Sequence, residues 1–182
     1  MKIVVDSQLS FEEAIAGSAA PSEIIASLEL VELTYISTDG LLHQGQMMVN
    51  QDIVEDLQAV FSLMWQINFP VHKVVPMSFY NWDDDASMDD NNSSAFCYRK
   101  IDNTDRISIH SYGRAIDINP FFNPVQYVDG RLVPAQATYN PNLAGTLFEG
   151  SSVVEEFVKR GFVWGGRTRE RYFDTHHFDK VV

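Results

Sequence analysis

The stretch that most constrains the fold is SIHSYGRAID at residues 108–117. His110 and Asp117 are an odd number of residues apart, so on one continuous strand their side chains would point to opposite faces. A turn between them removes the conflict, and Gly113 can adopt the backbone conformation that such a turn requires. Beyond Gly113 the chain alternates, so that Ala115 and Asp117 share a face. The sequence therefore predicts a fixed carboxylate close to a histidine.

A second group of acids and histidines, FDTHHFDK, lies at residues 173–180. His176 and His177 would point to opposite sides of a strand, and the three-residue spacing from Asp174 favours His177 as the one that joins it. Two histidines and a carboxylate are the ligand set of a catalytic zinc ion, although the ligand types also suit other transition metals. Taken alone, these residues could equally be ordinary polar groups at strand ends.

Hydrophobic periodicity predicts an α+β chain. An amphipathic helix is expected over 53–67, and a helix over 151–161 begins with a capping box of Ser152 and Glu155. Two β-rich runs flank the TDG turn at 38–40, which indicates a hairpin. Further strands are predicted at 70–80, 94–99, 113–119 and 173–182. The short connections favour an antiparallel sheet with helices packed against it.

Composition limits the possible partners. With 182 residues, 45% of them hydrophobic, the chain is expected to form a single domain. A formal net charge of −12 argues against nucleic-acid binding, which needs clustered lysine and arginine. No apolar stretch is long enough to span a membrane, and the acidic run at 81–92 is expected to be a solvated loop. The N-terminus is a poor secretion signal, which leaves another export route, action inside the cell or a trimmed chain.

Three residues are expected to have no special function. His43 and His72 have no acidic or histidine partner at ligand spacing and are predicted to be surface or core residues. Cys97, the one cysteine, excludes an internal disulfide and lies between aromatic residues. A buried, inert thiol is predicted there, and the alternative is the nucleophile of a cysteine hydrolase.

Both motifs resemble those of a known peptidase family. SIHSYGRAID matches the Ser-x-His-x-x-Gly-x-Ala-x-Asp signature of VanY-type D-alanyl-D-alanine carboxypeptidases and of the related endolysin L-alanyl-D-glutamate peptidases, and FDTHHF resembles their closing acid-x-x-His motif. The segments GQMMVN, IDINPFFNPV and GFVWGG are also similar, so the resemblance covers roughly residues 21–182 and leaves 1–20 as an N-terminal segment. It implies a single zinc peptidase domain with the hedgehog/DD-peptidase fold, a central antiparallel sheet with helices against it.

The resemblance also implies roles for individual residues. The family's zinc (Zn²⁺) ligands correspond to His110, Asp117 and His177. Its catalytic base corresponds to Asp174, and the cation that contacts the substrate carbonyl corresponds to Arg99. Ser108 is expected to support the first ligand. Two positions depart from the family pattern: His176 stands where relatives carry a residue that is not a ligand, and Thr168 where many carry an aromatic residue.

The function implied is that of a zinc metallopeptidase that hydrolyses an amide bond in peptidoglycan stem peptides. Both the L-Ala-D-Glu endopeptidase type and the D-Ala-D-Ala carboxypeptidase type stay open, and GFVWGG favours the endolysin-like branch. Such a protein would act in the periplasm or outside the cell. The alternative is a hedgehog-like module that binds zinc without peptidase turnover. No oligomeric state is predicted.

Overall fold

The computed structural model describes residues 3–101, 104–167 and 172–181. The helices in these ranges are α1 (Phe11–Ala14), α2 (Ser22–Ile25), α3 (Val54–Gln66), α4 (Asp84–Asp89) and α5 (Ser152–Lys159). The strands are β1 (Val4–Val5), β2 (Leu28–Ile36), β3 (Leu42–Asn50), β4 (Ala115–Asp117), β5 (Val125–Tyr127), β6 (Leu132–Val133), β7 (Val163–Trp164), β8 (Tyr172–Asp174) and β9 (His177–Asp179). Short 3-10 turns cover Gln51–Ile53, Met77–Tyr80, Ile109–Tyr112 and Gly165–Arg167.

The long hairpin and α3 form the main packing layer. β2 and β3 pair antiparallel along their whole length around the predicted Asp-Gly turn. α3 lies within the predicted helix and buries one apolar stripe in the cluster that also holds hairpin residues: Leu57, Val60, Phe61 and Met64. Both predictions are confirmed. The stripe forms because residues three or four apart lie on one face of a helix.

The prediction of an α+β chain with antiparallel strands is confirmed, but a single central sheet is not observed. The described strands form three small sheets, ordered β1-β3-β2, β4-β9-β7 and β6-β5-β8. All pairings are antiparallel except that of β1 with β3. Residues of the first two sheets, among them Val49 and Phe178, share one buried cluster, so packing and not strand pairing joins these two sheets.

Two predicted strands, at 70–80 and 94–99, are absent as regular strands. Each makes only an isolated bridge, from Lys73 to Asn92 and from Ser94 to Asp117. The Asn92 side chain both accepts from and donates to the backbone of Val75, which replaces a neighbouring strand. Alternating apolar residues indicate burial but do not require strand pairing. Here the amide side chain forms the backbone hydrogen bonds that a neighbouring strand would otherwise provide.

Helix α5 is present where the sequence predicts it, but its cap differs. The N-cap is Ser151, and no side chain caps the helix, so the predicted box of Ser152 and Glu155 is wrong. The apolar face of α5 packs on β9, where Phe157 and Phe178 stack with ring centroids 3.9 Å apart. This packing holds β9 against α5. Within the described ranges, no helix combines the length and apolar character needed to cross a membrane.

His43 is a buried core residue held between two carboxylates. Its Nδ1 lies 2.8 Å from Asp6, and its Nε2 lies 3.1 Å from Asp39. Tyr35 donates its hydroxyl proton to the same Asp6 side chain. Burial lowers the pKa of His43, but the two carboxylates more than offset this and leave the pKa above its ordinary value. The imidazolium therefore ties the start of the chain to the hairpin.

We expect the stabilising contribution of His43 to decline as pH rises. A histidine pKa that is raised in the folded state gives stability that is fully present below the unfolded value of about 6.5 and is lost above the folded value. His43→Asn should lower the free energy of unfolding by about 1 kcal/mol more at pH ~5.5 than at pH ~8.5. Urea unfolding at both pH values measures the difference, and an equal loss at both would contradict it. His72→Asn is the control, because the pKa of His72 is lowered mainly by burial.

Candidate metal centre

His110 is carried by the 3-10 turn Ile109–Tyr112, whose start and end are both fixed. The Ser108 hydroxyl accepts from the backbone N–H of His110, so Ser108 caps the turn and does not contact the imidazole ring through this bond. Gly113 ends the turn with φ of 65°. The Ser111 hydroxyl accepts from the backbone N–H of Arg99 and donates to its carbonyl oxygen. The turn is thereby fastened to the segment that carries Arg99.

The His110 ring has one nitrogen committed to the backbone. Nδ1 lies 2.6 Å from the carbonyl oxygen of Ala95, which can only accept, so Nδ1 carries the proton. Nε2 is left with its lone pair and lies 3.1 Å from His177 Nδ1 and 3.2 Å from Asp117 Oδ2. A backbone acceptor on the second nitrogen is the usual arrangement for a histidine that binds a metal.

Asp117 and His177 face each other across two antiparallel strands. They are directly paired in the register of β4 and β9, and His177 Nδ1 lies 3.0 Å from Asp117 Oδ1. The backbone N–H of Asp117 also donates to the carbonyl of Ser94. Ile116 and Ile118 on the other face are fully buried and anchor the strand. The carboxylate is thus held rigidly at the end of a short, well-packed strand.

Three potential ligand atoms therefore converge. One donor atom each from His110, Asp117 and His177 lies within 4.8 Å of the others, so the trio is close enough to hold one metal ion. Two imidazoles and a carboxylate suit zinc, and a trio of ligands leaves a position for water or substrate. On the far side of His177, Nε2 lies 3.5 Å from Asp179, which is placed to orient the ring.

The charges in the cluster support one another. Burial raises the pKa of Asp117, but His110, His176 and His177 outweigh it and hold that pKa well below its usual range. Burial lowers the pKa of His177, while Asp117 and Asp179 together keep it well above its ordinary value. A carboxylate that stays ionised in a buried site is the form that binds a cation.

His176 and Asp174 form a second pair beside the trio. His176 is 3% exposed, and its Nδ1 donates to the carbonyl oxygen of Asn123 over 2.7 Å. Its Nε2 lies 3.1 Å from Asp174 Oδ1 and 4.0 Å from Asp117 Oδ1. The contact with Asp174 does not have hydrogen-bond geometry, and Asp174 Oδ1 is buried without a hydrogen-bond partner among the described residues. This oxygen therefore keeps a lone pair that no hydrogen bond from the described residues uses.

A turn separates Asp174 from His177, which differs from the single strand predicted for this segment. Thr175 and His176 form the turn, so Asp174 ends β8 in one sheet and His177 begins β9 in another. The Trp164 indole N–H donates to the Thr175 carbonyl, which places Trp164 in the core beneath the turn. Gly165 lies so close to Asp174 that a Cβ atom there would fall 2.6 Å from its carbonyl oxygen. Trp164 and Gly165 thus position Asp174.

Arg99 lies at the edge of the same region and pairs with an acid that sequence reasoning missed. Its Nη2 lies 2.7 Å from Asp84 Oδ2, on the first turn of α4. The acidic run 81–92 is therefore not a simple solvated loop, since Asn91 and Asn92 in it are buried. The sequence carries no signal that separates Asp84 from the acids on either side of it. Thr168, the other departure from the family pattern, lies outside the described residues.

Cys97 is a buried thiol, as predicted. Burial, together with the nearby carboxylate of Asp84, raises its pKa to about 12. Nucleophilic cysteines need a lowered pKa, because the thiolate is the reactive form. The alternative of a cysteine hydrolase is therefore not supported by the environment of Cys97.

Gly113 should be essential to the geometry of the trio. A Cβ atom at Gly113 would lie 2.7 Å from the backbone nitrogen of Asn50. Gly113→Ala should lower the free energy of unfolding by about 2–4 kcal/mol, the sum of a positive-φ penalty and overpacking. Gly40→Ala is a matched control with similar φ but open space around it, and should cost only about 1 kcal/mol. Chemical denaturation measures both, and equal losses would mean that the contact with Asn50 is unimportant.

One comparison with known proteins gives a match that covers this site. Residues 102–180 match a family model described as D-alanyl-D-alanine carboxypeptidase, which confirms the resemblance to the VanY-type family over that part of the chain. The match contains the metal trio and Asp174 but not Arg99 or Asp84. No curated protein and no solved structure matches the chain. The family match supports peptidase activity on peptides from peptidoglycan.

Proposed function

From the family match over residues 102–180, we propose that the protein is a zinc-dependent metallopeptidase that hydrolyses an amide bond in peptidoglycan stem peptides. The observation that carries the proposal is the convergence of His110, Asp117 and His177 within 4.8 Å, next to a carboxylate with a free buried oxygen. We extend the peptidase domain over 21–182, with 1–20 as a separate N-terminal segment, and we retain the hedgehog/DD-peptidase-like fold as a prediction.

Zinc is proposed as the ion from the chemistry of its ligands. Two imidazoles and one carboxylate are typical of catalytic zinc, whereas magnesium and calcium prefer oxygen ligands. The His110 ring is already oriented by the Ala95 carbonyl and the His177 ring by Asp179, so little reorganisation is needed for binding. When bound, zinc would supply a Lewis acid that polarises the scissile carbonyl and lowers the pKa of a water molecule to about 7.

Asp174 is proposed as the general base and acid. Its Oδ1 has no hydrogen-bond partner among the described residues, so it can accept a proton from the attacking water and then deliver it to the leaving amine. His176 Nε2 lies 3.1 Å from this oxygen, and Gly165 packs closely against the Asp174 backbone and Cβ, so both neighbours restrict the position of the side chain. Arg99 is proposed to stabilise the negative charge that develops on the carbonyl oxygen, where a fixed cation contributes most.

The type of bond cleaved can be settled by product analysis. The purified, zinc-loaded protein is incubated with defined muropeptides, and the fragments are identified by mass. Release of free D-alanine indicates a carboxypeptidase, and cleavage between L-Ala and D-Glu indicates an endopeptidase. We favour the endopeptidase type because GFVWGG resembles the endolysin branch. A protein that binds zinc but cleaves no muropeptide would instead favour the hedgehog-like binding module.

A further inference from the structure

One carboxylate of the acidic run is directed at Arg99, and its neighbour is not. Asp84 and Asp85 both lie in the first turn of α4, where a carboxylate interacts favourably with the helix dipole. The Asp84 side chain is 27% exposed and lies 2.7 Å from Arg99 Nη2, whereas Asp85 is exposed to solvent. Two adjacent residues of the same type therefore have different surroundings, which allows a matched comparison.

Asp84 lies within the electrostatic reach of the metal centre. Burial raises its pKa, and the charged groups that act on it are Arg99, His110, Asp117 and His176. All of these except Arg99 belong to the trio or to the pair beside it. The ion pair of Asp84 and Arg99 is thus electrostatically coupled to this site.

The backbone of Arg99 is fixed, but its side chain has to be fixed separately. Its N–H donates to Ser111, and its carbonyl accepts from the N–H of Ser108, next to the turn that holds His110. An arginine side chain has many rotamers, so a fixed backbone alone does not place the guanidinium. The ion pair in which Arg99 Nη2 lies 2.7 Å from Asp84 Oδ2 restricts those rotamers.

We propose that Asp84 is a positioning residue for the reaction, and that it holds the Arg99 guanidinium in the orientation that meets the developing negative charge on the substrate carbonyl. The inference rests on the proposed function, in which Arg99 supplies that charge. A guanidinium has five N–H donors in a planar fork, so the pairing of one Nη with Asp84 fixes the plane in which the whole fork lies. Preorganisation of this kind contributes mainly in the transition state.

The test compares Asp84→Ala with Asp85→Ala in the full-length, zinc-loaded protein on a muropeptide. Asp84→Ala should lower kcat by about tenfold or more with little change in KM, as expected when a transition-state interaction is lost. Asp85→Ala should retain kcat, and Asp84→Glu should restore part of the loss. Equal kcat values for Asp84→Ala and Asp85→Ala would overturn the inference.

A double-mutant cycle separates positioning from a direct role. In the Arg99→Ala background, Asp84→Ala should cause no further loss of kcat, because Asp84 acts through Arg99. Additive losses would overturn the inference. Zinc content is measured for every variant, and equal contents exclude an effect on the trio of His110, Asp117 and His177.

A readout without turnover distinguishes failure of this inference from failure of the proposed function. In the metal-free protein, the ¹⁵N–¹H guanidinium signals of Arg99 should be resolved in the wild type and in Asp85→Ala, and averaged by rotation in Asp84→Ala. Unchanged Arg99 signals in Asp84→Ala would overturn the positioning role even if the enzyme is active. Absence of muropeptide cleavage by the wild type would overturn only the proposed function, and the Arg99 signals would still decide whether Asp84 fixes the guanidinium.

Discussion

Asp174→Asn should abolish most hydrolysis and leave metal binding intact. An amide has nearly the same shape as a carboxylate but cannot accept the proton of water, so the loss reports the chemical role of Asp174. General acid–base groups typically contribute about 10²–10⁴-fold to the rate, and we expect kcat to fall within that range. Fragment release from muropeptides measures the rate, and elemental analysis of the dialysed protein measures zinc.

Two controls make the Asp174 result specific. Asp129→Asn changes an exposed aspartate in the turn between β5 and β6, two strands of the sheet that also holds Asp174, and should have wild-type activity. The thermal transition of Asp174→Asn should stay close to that of the wild type, since Asp174 Oδ1 makes no hydrogen bond with the described residues. Full activity in Asp174→Asn would show that another group takes the proton.

His110→Ala should eliminate stable zinc binding. His110 contributes the nitrogen Nε2, and its removal leaves Asp117 and His177 as the remaining pair of the trio. Loss of an outer partner of a ligand alone typically costs about 10–100-fold in affinity, so removal of a ligand should cost more than about 100-fold. Competition with a chromogenic chelator measures the affinity, and hydrolysis should disappear together with the metal.

The adjacent histidines supply the decisive comparison for the ligand set. His177→Ala should lose zinc as His110→Ala does, whereas His176→Ala should retain it, because the His176 ring faces Asn123 and Asp174. His72→Ala is the control for the general effect of removing an imidazole, because His72 is half-buried and forms a hydrogen bond with Thr38. Retention of zinc by His177→Ala, with its loss from His176→Ala, would mean that the ligand assignment is wrong.

Local patterns predicted the elements that depend on neighbours in the chain. The stripe of α3, the Asp-Gly hairpin and the turn at Gly113 all follow from residues within a few positions of each other. They could be predicted because helix period, strand alternation and positive φ are properties of short segments. The prediction of a strand at 70–80 was wrong because a local pattern does not report distant contacts. The burial of this segment arises from contacts with Asn92 and the hairpin, which are distant in the sequence.

A turn, and not strand alternation, separates the roles of His176 and His177. His177 lies in the trio as predicted, but not because alternate residues of one strand face opposite sides. A turn at Thr175 and His176 separates two strands that pair with different partners, and Trp164 holds that turn. His176 is consequently turned toward Asp174 instead of toward solvent.

The sequence by itself determined the chemical types of the site: two histidines and an aspartate as potential ligands, a nearby acid, an arginine, and a glycine that permits the turn between the first two. Only the tertiary structure decided that three small sheets replace one, that Asp174 and His176 face each other, and that Asp84 rather than Asp85 pairs with Arg99. The physical reason is that residue types and the spacing of apolar residues are properties of short segments of the chain. Pairing between segments depends on packing and hydrogen bonds that join residues far apart in the chain.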